Sequence, residues 1–255
     1  MKAIFSNKTR RTASLLVLVS ILCTAMPVKA QTYYYTPWYG PKGLAINTGM
    51  YVPFSQNQYS AGNYNYKLVD DSRLMLCPFI GLTSTAFDQG NYIFYGSDVT
   101  LNFSKGGKSF TFNDAGHDYT TTAKMSFVDF SMKLFAGYSI TDELSVSLRS
   151  GFTLTNVLTT KSWQTVDNGE KKDGGFRATN EIASGKVIVQ VPIDLFVNYL
   201  ISDHWFVRGS IDTRLITIRG LAGDITLNES YNKKINMQNP FKSIGCSVTF
   251  GFWWN

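Results

Sequence analysis

Apolar residues recur at every second position along most of the chain from residue 44 onward. Between 128 and 140, Val128, Phe130, Met132, Leu134, Ala136, Tyr138 and Ile140 make one face, while Asp129, Ser131, Lys133, Gly137 and Ser139 fall on the other. After Thr141-Asp142-Glu143 the pattern resumes with Leu144, Val146, Leu148, Phe152 and Leu154 set against Ser145, Ser147, Arg149, Gly151, Thr153 and Thr155. Successive side chains of a strand point to opposite faces, so a period of two predicts half-buried strands. No stretch carries a 3.6-residue stripe, and almost no helix is expected.

Eight strands are predicted, over 44–54, 72–83, 92–104, 124–140, 144–157, 187–200, 205–218 and 243–253. The links between them are alternately long and short, as in a membrane barrel with tight turns on one side and long loops on the other. Lys105-Gly106-Gly107-Lys108 and Asp167-Asn168-Gly169 are hairpin signals inside two long links. The predicted fold is all-β, an eight-stranded antiparallel up-and-down transmembrane β-barrel, with ten strands if those loop hairpins extend.

Composition sharpens this picture. The basic residues Lys2, Lys8, Arg10, Arg11 and Lys29 precede or flank the apolar run Leu15–Cys23, and Val28-Lys29-Ala30 presents small residues around a cleavage point. Residues 1–30 are therefore expected to be a signal peptide, followed by a periplasmic segment over 31–43 and the barrel over 44–255. The formal charge of +6 resides largely in that leader, so the remainder lacks the basic excess of a nucleic-acid binder. Cys77 and Cys246 both fall in predicted strands, which permits a disulfide without requiring one.

Charged side chains decide which face is wet. Asp98, Asp129, Lys133, Arg149, Asp194, Arg208, Asp212 and Arg214 all lie on the less apolar face, four acids and four bases among Gly, Ser and Thr. Such a balance suits a narrow sealed lumen in which each ion has a partner. A fully apolar outer face requires lipid. Trp38, Tyr39, Tyr138, Tyr199, Trp205, Trp253 and Trp254 cluster near strand ends, where interfacial aromatic girdles sit.

Candidate chemistry is sparse. His204 lies in the turn Ser202-Asp203-His204, too compressed for a catalytic triad. Asp114, His117 and Asp118 are ligand-type residues in a Gly-containing segment, but nothing in their spacing specifies a metal. No catalytic residue, metal or cofactor is expected.

The leader, the alternating strands, the short Thr-Asp and Ser-Asp turns and the C-terminal Val248-Thr-Phe-Gly-Phe-Trp-Trp-Asn255 together resemble the small outer-membrane β-barrel proteins of the OmpA/OmpX-like type. The chain departs from that family in ending on Asn255 rather than on an aromatic residue. The resemblance implies a Gram-negative host, the outer membrane and both termini in the periplasm. It implies a non-enzymatic role: presenting extracellular loops for adhesion or protein contacts, or serving in an envelope complex. A narrow porin-like channel, a lipid A-modifying barrel enzyme and a soluble lipocalin-like binder of an apolar ligand are the alternatives. The expected partners are outer-membrane lipid and proteins met through loops 55–71, 105–123, 158–186 and 219–242.

Overall fold

A computed structural model describes residues 42–60, 67–70, 76–89, 93–179, 187–227 and 234–254. The expected leader lies outside these residues, as do Trp38 and Tyr39. Eight long strands form a closed antiparallel ring: β1 (Lys42–Pro53), β2 (Cys77–Gln89), β3 (Ile93–Asp114), β4 (His117–Ser139), β5 (Leu144–Val166), β6 (Ile188–Leu200), β7 (Trp205–Arg219) and β8 (Ser243–Trp254). Each pairs with its neighbours in sequence, and β8 returns to β1 through Lys42↔Trp254 to Pro53↔Ser243. Closure leaves no open edge through the body of the barrel.

The wall is apolar outside. Ile93, Leu134, Leu148, Ile80 and Ile46 are among the side chains more than half exposed. On β3 the outward apolar set runs from Ile93 to Phe103, about the 9–11 residues that cross hydrocarbon at a tilt.

Four strands differ in extent from the sequence expectation. β2 spans Cys77–Gln89 and continues beyond the expected end at 83, because its register against β3 runs on to Gln89↔Phe94; the expected start, 72–75, lies outside the described residues. The expected loop 105–123 is instead a continuation of β3 and β4, paired without interruption from Ile93↔Tyr138 to Asp114↔His117. Its turn is Ala115-Gly116, both at positive φ, so Lys105–Lys108 lies within a strand. β5 likewise runs past 157 to Val166, with a bulge that skips Leu158 opposite Ser126/Phe127. The Asp167-Asn168 turn has both residues at positive φ, as a tight primed hairpin requires, and leads to Lys172–Asp173, which pairs back on β5.

Above the apolar band the apolar face changes sides. On β3 the outward Val99, Leu101 and Phe103 give way to inward Phe110 and Phe112, and on β4 Val128 and Phe130 give way to Phe127, Met125 and Tyr119. The projecting blade of β3, β4 and β5 needs an apolar cover on that inner face. A second sheet supplies it: Gln58–Ser60, Lys234–Asn239, Leu221–Thr226 and Phe176–Ala178, in that spatial order. Its inward Phe176, Leu221, Ile225, Ile235 and Met237 pack with Phe110, Phe112, Tyr119 and Met125 in one core. The long links thus form a small β-sandwich seated on the barrel.

Phe241 joins the two parts. Its ring lies 5.4 Å from Phe127 and 6.3 Å from Tyr51, and its backbone adopts φ 58°, a region unfavourable for a residue with a Cβ. Hydrogen bonds hold it there: its N–H donates to Asn239 Oδ1 at 2.6 Å, and its carbonyl accepts from buried Gln190 Nε2 at 2.6 Å. Phe241→Ala should therefore destabilise the cap by about 3–5 kcal/mol. Hydrogen exchange would show faster exchange across 221–226 and 234–239, with the barrel strands below still protected.

Candidate functional site

An eight-stranded barrel leaves an interior that its own side chains fill, and the lumen is layered. At the short-turn end Phe206 stacks on Trp253 with ring centres 4.2 Å apart, beside Ala45 and Leu200. Next come Phe94, Phe135 and Phe196. The charged layer follows, and the sandwich core closes the far end.

Six charged residues from five strands meet in that layer. Arg149 of β5 is the hub: Nη1 donates to Asp98 at 2.8 Å, Nε to Asp194 at 3.1 Å and Nη2 to Asp212 at 3.0 Å. Arg208 of β7 donates to Asp98 at 2.7 Å and to Asn198 Oδ1 at 3.1 Å. Lys133 of β4 reaches Asp194 at 2.5 Å. Asp212 also accepts from Ser247 at 2.8 Å. Three cations thus neutralise three carboxylates. The register explains the need, since Asp194 and Asp212 stand directly opposite each other on β6 and β7 and would repel without Arg149 between them. The guanidinium of Arg208 lies 4.2 Å from the Phe196 ring centre, so the aromatic layer below contributes cation–π contact.

Asp129 and Arg214 stand apart from this cluster as a second neutral unit. Arg214 Nη2 donates to Asp129 at 2.9 Å, Thr155 donates to its other oxygen at 2.6 Å, and the guanidinium sits 4.5 Å from the Tyr51 ring centre. The structure therefore brings six of the eight charged residues singled out in the sequence into one network and the remaining two into a pair.

The aromatic residues divide differently. Tyr138, Tyr199, Trp205 and Trp254 are exposed on the outer wall. Trp253 is not part of that outer set: only 3% exposed, it points into the lumen. It shares the phase of Gly245, Ser247, Thr249 and Gly251, and a ring at this end fills the space above Gly43, where an added Cβ would come within 2.5 Å of it. Asn47, Asn102, Asn198, Ser210 and Ser247 also face the lumen; they carried no charge signal, and only their phase along the strands marked them.

Cys77 faces inward and Cys246 outward, and both are free; opposite faces of a sheet preclude a disulfide. Asp114 is buried on the inner face while His117 is exposed, and no three metal-ligating side chains gather among the described residues. His117 Nδ1 instead meets Asp167 at 2.6 Å, and Asp167 also accepts the Asp118 N–H at 2.8 Å. This clasp ties the β3–β4 tip to the end of β5. The carboxylate partner raises the His117 pKa, and the imidazole and the Asp118 N–H lower that of Asp167.

Solved structures with a similar shape are outer-membrane barrels. The outer membrane protein OprG from Pseudomonas aeruginosa aligns at TM-score 0.50 and 8% identity, over 85% of this chain and 97% of that one. The Ralstonia pickettii toluene transporter TbuX aligns at TM-score 0.41 and 6% identity, over 84% and 89%. The outer membrane protease OmpT from Escherichia coli aligns at TM-score 0.37 and 8% identity, over 88% and 97%. No protein-family profile matches the chain, and no curated protein matches it. At such identity the OprG likeness establishes the fold alone.

Two outcomes follow from this geometry. Arg214→Met leaves Asp129 buried and unpaired and should cost about 3–5 kcal/mol, while Arg214→Met with Asp129→Asn should recover much of the loss; urea unfolding of both variants in lipid vesicles measures it. For the clasp, the His117 contribution is full below the ordinary imidazole pKa of 6.5 and is lost as pH rises through its raised value. The Asp167 contribution is full above 3.8 and is lost as pH falls through its lowered value. Protection of the Asp118 amide should therefore be greatest between these limits and decline on either side, read by NMR exchange rates.

Proposed function

We propose, for a chain with the fold of a small outer-membrane β-barrel, that it resides in a bacterial outer membrane and acts without enzymatic chemistry as a sealed scaffold. On this reading the barrel anchors the β-sandwich at the cell surface, and the sandwich is the part that meets protein partners. The observation that carries it is the pairing of a lumen whose eight charged side chains are all ion-paired with long links whose described residues are folded into sheet. A conduit would need a water-filled path past Arg149 and Arg208, and the site there is occupied by their own carboxylates. Binding groups normally sit on loops held by a rigid scaffold, and here the blade and the four-stranded sheet supply that rigidity.

The outer face of the small sheet offers Gln58, Ser60, Arg177, Asp224, Asn236 and Gln238, a polar surface suited to hydrogen-bonded contact with another protein. The His117–Asp167 clasp is exposed at the tip, outside any cleft that would exclude water, and serves in this reading to order the tip.

Two measurements test the proposal. The protein refolded into phosphatidylcholine vesicles should migrate faster unboiled than boiled on a detergent gel, and planar bilayers should show no steady conductance. A steady single-channel conductance would overturn the sealed scaffold in favour of the narrow channel. Absence of a mobility shift would overturn the membrane reading itself.

A further inference from the structure

Just above the apolar band, the outer wall of β3, β4 and β5 carries Lys105, Lys124 and Lys161, all exposed. Lys124 stands directly opposite Lys161, and Lys105 pairs with Ser126, two residues from Lys124. Like charges directly opposite destabilise a strand pair, yet none of the three forms an ion pair among the described residues. Trp163 lies on the same outer face, with Lys124 Nζ 5.2 Å and Lys171 Nζ 4.4 Å from its ring centre. Glu170 and Asp173 flank Lys171, and Asp173 is paired in register with Trp163, so the four lysines keep a cationic excess over these two acids.

Height and direction select the ligand. Lys105 lies two residues beyond Phe103, the end of the outward apolar run on β3, a rise of about 7 Å. The patch faces sideways, continuous with the surface on which acyl chains would rest. An anion delivered there arrives with a lipid beneath it, and Trp163, opposite Thr122, stands two residues further along the strands than the Lys124–Lys161 pair.

We propose that Lys105, Lys124, Lys161 and Lys171, arranged around Trp163, bind the phosphate-bearing headgroup of a lipid in the outer leaflet. The assignment rests on the membrane reading above. Phosphate oxygens placed between Lys124 and Lys161 convert their repulsion into shared attraction, and the band below holds the lipid's tails.

The test uses the full chain refolded into phosphatidylcholine vesicles containing a minor fraction of diphosphoryl lipid A, with lipid retention after detergent extraction read by native mass spectrometry. Near an anionic surface each lysine contributes about fivefold in affinity. Lys124→Gln should weaken retention by about fivefold and Lys124→Gln with Lys161→Gln by about 25-fold, while Lys42→Gln at the opposite end of the barrel leaves it unchanged. Dephosphorylated lipid A should not be retained. Equal retention by the double variant, or by wild type for the dephosphorylated lipid, overturns the proposal. So does displacement of lipid A by an equal concentration of inorganic pyrophosphate, which would mark a site for free phosphate. The unboiled mobility shift in phosphatidylcholine alone checks insertion of each variant, with Lys105→Gln as a second substitution. A wild-type chain that fails to insert overturns the membrane reading as well, whereas inserted protein with unaltered retention overturns only the lipid site.

Discussion

Little room exists inside eight strands, and that shortage governs the molecule. A charge pointing inward has no bulk water to solvate it and must find its counter-charge on another strand. Arg149 meets this condition by donating from each of its three guanidinium nitrogens to a carboxylate, one each from β3, β6 and β7. Three walls of the barrel are thereby tied through one side chain. The same shortage places glycine where rings intrude: an added Cβ on Gly251 would come within 2.3 Å of Phe206.

A second constraint comes from the change of solvent along each long strand. On the membrane reading, hydrocarbon lies outside the band and the polar lumen inside, so the apolar side chains face out. Beyond Phe103 on β3 and Val128 on β4, water replaces hydrocarbon, and the apolar side chains face in toward Phe176, Ile225 and Met237. The β3–β4 pairing is uninterrupted across the change, while β5 takes its bulge at this height. On β3 and β4 only the residue chemistry reverses phase, and this reversal marks the height at which Lys105, Lys124 and Lys161 appear.

These two constraints divide labour by height. The lumen contributes closure and stability, the band contributes anchorage, and the sandwich contributes a folded surface held in place through Phe241. A scaffold of this kind can vary its exposed sheet face without disturbing the Arg149 network, because no residue of that network belongs to the small sheet.

Much of this was legible in the sequence. Period-two patterning determined eight strands and which set of side chains faces hydrocarbon, because a strand's two faces are fixed by its backbone. The same phase separated Arg149 and Asp194 from the outer wall. It did not say which carboxylate Arg149 would hold, since partners come from strands distant in sequence and depend on barrel stagger. Position near a strand end favours the outer girdle for Trp253, whereas its phase along β8 turns it into the lumen. The turn composition of Lys105-Gly-Gly-Lys108 favours a loop over 105–123, whereas pairing along the whole of β4 overrides that local preference. The small sheet draws its strands from three separate links, and its shared core exists only once the barrel has brought those links together.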